Sequence, residues 1–222
     1  MPAMGVDIFG VQGSPPCRAV YLVAKAIGLD YTFNKVDMQA GQHRSPEFLK
    51  MNPAHTVPTM KDGDLCLGES KAIITYLMNK YAPDSELYPK DPAERAKVDQ
   101  RLHFDSGLFS SIRGIVFPVL FNKNLEEFKK NKPKLDENLD LLETFLGRSQ
   151  NVAGEKVTVA DLAVLANVST VQAAGLLEKD KWPRISAWLT RLQTQLPYYS
   201  VNVEGANMLG EAVKKGIAEL GA

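Results

Sequence analysis

The sequence predicts an α/β domain on a small mixed sheet, followed by an all-helical domain. Three observations predict it: strand and helix patterns alternate over the first part of the chain, prolines interrupt the pattern between Pro83 and Pro92, and helical periodicity fills the rest. The expected division is residues 1–83, a linker over 84–91, and residues 92–222. Length suits this reading, since 222 residues with 45% hydrophobic content can bury two ordinary cores.

The elements follow in order. GVDIF at 5–9 is a short apolar strand. Val20, Val23, Ala24 and Ile27 share one face of a helix that begins at Pro15 and closes at Gly28. Ser14 is its N-cap, and Pro15 occupies the first helical position, where a missing N–H costs nothing. YTFNKVDM at 31–38 reads as a second strand, completing a βαβ start. A loop with Gly41, His43 and Pro46 follows, then a hairpin turning at Asp62 and Gly63. Ile73, Ile74, Leu77, Met78 and Tyr81 define the next helix, ended by Pro83. The order βαβ then ββα is the thioredoxin-like arrangement.

Beyond the linker, Asp91, Pro92 and Glu94 form a capping-box type start. Val98, Leu102, Asp105, Phe109, Ile112 and Val116 then alternate at intervals of four and three, predicting a long helix to about Pro118 that serves as the spine of the domain. Leu135, Leu139, Leu142 and Leu146 mark another helix closed by Gly147, and Thr158 with Asp161 caps a further one. Trp182–Leu192 and Met208–Leu220 supply the last two helical segments.

Composition excludes several function classes. Lys plus Arg equals Asp plus Glu at 26 each, with no long run of either sign, so neither nucleic acid nor an anionic membrane surface is the expected partner. The apolar stretches fall short of the roughly 20 residues of a membrane span, and the start has no basic-then-hydrophobic leader pattern. Two cysteines and three scattered histidines give neither a disulfide framework nor a metal-ligand spacing. A cytoplasmic protein without a metal is the expectation.

The chemistry concentrates in SPPC at 14–17. Thioredoxin-like redox proteins begin this helix with two cysteines separated by two residues, the first being the nucleophile. Here the first is serine, so a protein dithiol is lacking. A hydroxyl at a helix N-terminus can instead donate to a thiolate supplied by a bound guest, and such sites lower a thiol pKa from about 8.5 to about 3.5–7.5. The alternative is that Ser14 is a helix cap and nothing more.

GSPPCR, NPAHTVPTM, GES before a helix, and RLHFDSG in the long helix occur in one order across nearly the whole chain. Together they resemble the cytosolic glutathione transferases, in particular the insect delta and epsilon classes. The resemblance implies a thioredoxin-like glutathione-binding domain, an all-α domain carrying the hydrophobic substrate site, and a homodimer joined across the long helix. It implies glutathione as co-substrate and Ser14 as the catalytic residue that stabilises the glutathione thiolate. Glu69 and Ser70 match the pair holding the γ-glutamyl end, where a carboxylate meets the ammonium and helix amides receive the α-carboxylate. Val57 and Pro58 match a cis-proline turn whose preceding backbone pairs with the cysteinyl part. His43 and His55 match positions near the glycyl carboxylate.

Lys71 stands where many delta-class relatives have arginine, keeping the charge but losing the planar fork. Asp105 interrupts an apolar stripe, and two readings stand for it: a group near the charged end of glutathione, within or across subunits, or a buried ion pair with Lys71 or an arginine. Arg18 is read as structural, and Thr158 and Asp161 as a folding cap. For an apolar electrophile, the candidate wall residues are Pro16, Phe109, Ile112 and Arg113, with Val116, Phe117, Met208 and Leu209 beyond them; helical spacing does not separate pocket wall from core. The activity implied is attack of the thiolate on hydrophobic electrophiles by substitution or addition, with peroxide reduction or elimination of HCl from chlorinated insecticides as side activities. Two rivals remain open: a non-catalytic carrier of apolar ligands, and a thiol-disulfide oxidoreductase working through Cys17.

Overall fold

A computed structural model describes residues 5–221. The first strand, β1 (Val6–Gly10), leads into α1 (Pro15–Ala26), and β2 (Tyr31–Lys35) returns parallel to β1 with Val6 opposite Tyr31. β2 is shorter than the 31–38 strand expected: Val36 N–H still donates to the Gly10 carbonyl, but the Asp37 carboxylate then accepts the amides of Gln39 and Ala40 and turns the chain. A 3₁₀ turn (Gln42–Arg44) and a short helix, α2 (Pro46–Met51), occupy what the sequence left as loop. Their signal is local, since the Ser45 hydroxyl accepts from Phe48 N–H and Pro46 takes the first helical position.

β3 (Thr59–Asp62) and β4 (Leu65–Leu67) form the hairpin, giving a four-stranded sheet of order β2-β1-β3-β4 in which β1 is antiparallel to β3. α3 (Ser70–Tyr81) completes this α/β part. Here Asp62 accepts from Tyr81, Lys80 and Tyr76 at 2.6–2.8 Å, tying β3 to α3.

The helical part comprises α4 (Pro92–Phe117), a single π turn (Pro118–Asn122), α5 (Leu125–Leu146), α6 (Val159–Ala173), α7 (Pro183–Gln195) and α8 (Ser200–Glu219). Asp91 caps α4 by accepting from the Ala93 and Glu94 amides. The buried stripe of α4 runs through Val98, Leu102, Asp105, Leu108, Ile112, Ile115 and Val116, so Phe109 lies beside it rather than in it. With its π turn, α4 is the one helix among the described residues long and apolar enough to cross a membrane by length and composition; it packs on α5 and α6.

The buried centre is α6 rather than α4. Every α6 residue from Val159 to Val171 is buried, the pattern of a helix surrounded by others, and it packs on α1, α4 and α8. Its capping box is complete: Asp161 accepts from the Thr158 amide and hydroxyl, and its other oxygen accepts from Val152 N–H and Trp188 Nε1. α8 begins eight residues before the expected Met208, because its first turns bury Asn202 and Gly205 instead of a large apolar stripe. α1 is therefore held between α3 of the α/β part and α6 and α8 of the helical part, which fixes the turn at its N-terminus.

Candidate active site

Ser14 occupies the N-cap position of α1 with extended backbone, yet its side chain makes no capping bond. The cap reading therefore fails for the hydroxyl, which is left half-buried and free of the helix backbone, with the Cys17 thiol as its hydrogen-bonding neighbour. Pro15 and Pro16 carry no N–H, and the Arg18 amide is spent on the Ser14 carbonyl at 3.0 Å. This helix start thus offers fewer backbone donors than the first turn of an ordinary helix.

Cys17 lies one turn in, fully buried, and burial pushes its thiol up despite the neighbouring Ser14 hydroxyl, Val11 backbone, Tyr21 and Arg18. A buried neutral thiol is a packing group, so the structure gives no support to an exchange reaction through Cys17.

Two segments converge on the same end of the sheet. The Val57–Pro58 bond is cis, placed before β3, and Pro58 is buried. Before α3, Glu69 holds φ 62°, ψ 107° and is exposed, while Ser70 is buried as the first residue of the helix. The N-cap is thus Glu69. Among the described residues three non-glycine residues have positive φ: His55, Glu69 and Lys123. The first two lie in these loops, and a bulky side chain is retained there at a conformational cost on the order of 1–3 kcal/mol.

His55 is exposed and its ring centroid is 6.1 Å from that of His43. Arg44 Nε donates to His43 Nε2 at 3.3 Å, and His43 Nδ1 is buried with no partner in the protein. Of the two rings, that of His55 is the one open to an anionic group.

Lys71 and Asp105 do not join this surface. Lys71 Nζ meets Asp105 Oδ2 at 2.5 Å, Asn167 Nδ2 donates to Asp105 Oδ1 at 2.7 Å, and Asp105 has no exposed surface. Of the two readings of Asp105, the direct ligand group gives way to the buried ion pair, because both oxygens are engaged and no solvent path reaches them.

The hydrophobic candidates divide by exposure. Ile112 and Val116 belong to the core and line a small cavity with Leu135, Val171 and Val213, and Pro16 is buried in the first turn of α1. Ile112 and Val116 are corrected from pocket wall to packing. Phe109 is half-buried, Arg113 exposed and Phe117 42% exposed, at successive i, i+4 positions on one face of α4. The Arg113 guanidinium sits 4.7 Å from the Phe117 ring centre, and Phe117 is 5.0 Å from Phe121. Phe121, 68% exposed, was missed by the sequence reading, although the i, i+4 series 113, 117, 121 was there to extend. Met208 is exposed and Leu209 half-buried on α8; both face the loop before Ser14, since a Cβ at Gly13 would meet Met208 Cε at 2.9 Å and Leu209 Cβ at 3.7 Å.

The family model "Glutathione S-transferase, N-terminal domain" matches residues 8–85, and "Glutathione S-transferase, C-terminal domain" matches residues 93–195. Glutathione S-transferase 1 of Manduca sexta is 40% identical over 95% of this chain and 98% of its own. A delta-class glutathione transferase of Nilaparvata lugens superposes with TM-score 0.89 at 42% identity, covering 95% of this chain and 99% of that one. A glutathione transferase homologue of Drosophila mojavensis with bound glutathione gives TM-score 0.90 at 38% identity, covering 95% and 97%.

Proposed function

The chain belongs to the glutathione S-transferase family, and we propose that it binds glutathione beside the N-terminus of α1 and directs its thiolate onto apolar electrophiles. The observation that carries this reading is the Ser14 hydroxyl, at the N-cap yet free of any cap bond. A donor held by rigid backbone and aimed where negative charge resides stabilises a thiolate without reorganising, the principle behind preorganised electrostatic catalysis.

In this reading glutathione lies along the end of the sheet. The Val57 backbone, turned outward before cis-Pro58, pairs with the cysteinyl unit. The Glu69 carboxylate faces the γ-glutamyl ammonium, while Ser70 and the start of α3 receive the α-carboxylate. His55, with His43 beside it, receives the glycyl carboxylate. Lys71 supports this end indirectly, by holding α3 to α4 through Asp105.

The thiol loses its proton to solvent, the Ser14 hydroxyl donates to the resulting sulfur anion, and that anion attacks the electrophile with departure of its leaving group or addition across its double bond. Phe109, Arg113, Phe117 and Phe121 from α4 and its π turn, with Met208 and Leu209 of α8, supply the apolar wall. Holding both reactants together contributes proximity. A homodimer joined across α4, a cytoplasmic location and a role in xenobiotic or insecticide metabolism complete the proposal.

The test is conjugation of glutathione to a chloronitroaromatic, followed by absorbance, with Ser14→Ala as comparison. Loss of turnover in the variant with glutathione binding retained supports the reading; equal turnover in both proteins overturns the role of Ser14. A parent protein that binds glutathione and the aromatic compound but turns over neither is a carrier, and overturns the catalytic reading.

A further inference from the structure

Arg18 is the one cationic side chain among the described residues that is fully buried, and no carboxylate pairs with it. Its Nη1 donates to Asn202 Oδ1 and, at 3.3 Å, to Ser169 Oγ; its Nη2 donates to Thr170 Oγ1; its Nε has no partner. All these acceptors are neutral, one set from α6 and one from α8. They offset part of the loss of hydration but leave a net positive charge inside the protein. Of the three buried carboxylates among the described residues, Asp105 is balanced by Lys71 and Asp62 by Lys80, while Asp161 is held by neutral donors.

Arg18 follows Ser14 by one helical turn, its amide donating to the Ser14 carbonyl at 3.0 Å. Helical side chains lean toward the N-terminus of their helix. The stem of Arg18 accordingly runs beside the loop leading to Ser14: a Cβ at Gly205 would meet the Gln12 carbonyl oxygen at 2.0 Å and Arg18 Cδ at 2.7 Å. The same helix start lacks two backbone donors because of Pro15 and Pro16. A sulfur anion at this point therefore has little backbone N–H to rely on, and a buried cation nearby.

We propose that Arg18 is an electrostatic positioning residue for the thiolate: its buried, unpaired charge, bridging the two domains, lowers the pKa of the thiol held at Ser14. It acts through its field and not by contact, and the inference rests on the function proposed above. Burial lowers the guanidinium to about 10, which leaves it protonated at neutral pH. The ionisable groups facing it are Cys17 on α1 and Tyr199 before α8; α6 presents only the hydroxyls of Ser169 and Thr170. Cys17 is pushed up by burial and stays neutral. Glu204, on α8, is turned to the surface, where Gln12 Nε2 donates to it at 2.7 Å.

A unit charge roughly 10 Å away at an effective dielectric near 20 moves a pKa by about one unit. Asn202→Asp sets a carboxylate against Arg18 and cancels its charge without removing the side chain. The measurement is the ultraviolet absorbance of enzyme-bound glutathione thiolate against pH, in the full-length protein, with glutathione affinity and thermal midpoint recorded alongside.

The bound thiol pKa is expected to rise by about one unit in Asn202→Asp while the midpoint does not fall, and to stay near the parent value in Arg18→Lys. Arg18→Gln should give the same rise, and serves as the neutralising variant should Asn202→Asp not fold. An unchanged titration in a folded neutralising variant overturns the inference. Ser14→Ala is titrated in parallel: a rise there with none in the neutralising variants sinks Arg18 alone, whereas no rise there sinks the Ser14 reading itself.

Discussion

Lys71 Nζ lies 2.5 Å from Asp105 Oδ2, and this ion pair joins α3 of the sheet domain to α4 of the helical one, with the carboxylate fully buried and held on its other side by Asn167. Removing one partner of such a pair leaves an uncompensated group in a poorly hydrated site. Asp105→Ala is expected to destabilise the protein by about 3 kcal/mol, read as a lower urea midpoint. Lys71→Arg, which keeps the charge, should remain near the parent midpoint.

The candidate wall residues separate into packing and pocket by their response to truncation. Ile112→Ala should cost about 2–5 kcal/mol of stability, the range for emptying a filled core site. Phe121→Ala, at an exposed position, should stay within about 0.5 kcal/mol of the parent. Its expected effect is a raised KM for bulky apolar electrophiles with the KM for glutathione unchanged. Equal stability losses in the two variants would refute the division.

Gly205 touches backbone where no side chain fits, with the Gln12 carbonyl oxygen 2.0 Å from the position a Cβ would take. Gly205→Ala must push α8 away from the loop before Ser14, at about 1–3 kcal/mol for overpacking. Turnover should fall with stability, and a crystal structure of the variant should show α8 displaced from Gly13.

Asp62 supplies a pH dependence. Burial alone would push its carboxyl up, but the hydrogen bonds from Lys80, Tyr81 and Tyr76 outweigh burial and hold it below the ordinary 3.8. A depressed folded pKa adds stability that is present above the unfolded value and is lost as pH falls through the folded one. Stability should therefore decline more steeply below pH 3.8 in the parent than in Asp62→Asn, as measured by urea unfolding across the acid range.

Thiol accessibility gives a direct check on the redox alternative. Cys17 is buried and Cys66, on β4, is partly exposed. Labelling of the native protein with a thiol reagent should modify Cys66 alone, and Cys17→Ser should retain conjugation activity.

The sequence by itself determined the order of the strands and of the long helices, the sheet-then-helix division of the fold, and the family. Those features are encoded locally: the stripe ending at Tyr81 before Pro83, the Thr158–Asp161 cap and the turn at Gly63 each depend on residues within a few positions of one another. It also named most residues now gathered at the end of the sheet, because they sit in recognisable strings.

Only the tertiary structure decided which of them are free to act. Asp105 and Phe109 both fit the periodic stripe of α4, yet one is locked to Lys71 and the other lies at the edge of the core. Ser14 has the sequence of a cap and does not cap; Arg18 has the sequence of an ordinary helical arginine and is buried among α6 and α8. The early start of α8 was hidden for the same reason, since its first turns bury asparagine and glycine against distant segments. A hydroxyl or a charge takes its role from what surrounds it in space, and those surroundings come from distant parts of the chain, beyond the reach of any local pattern.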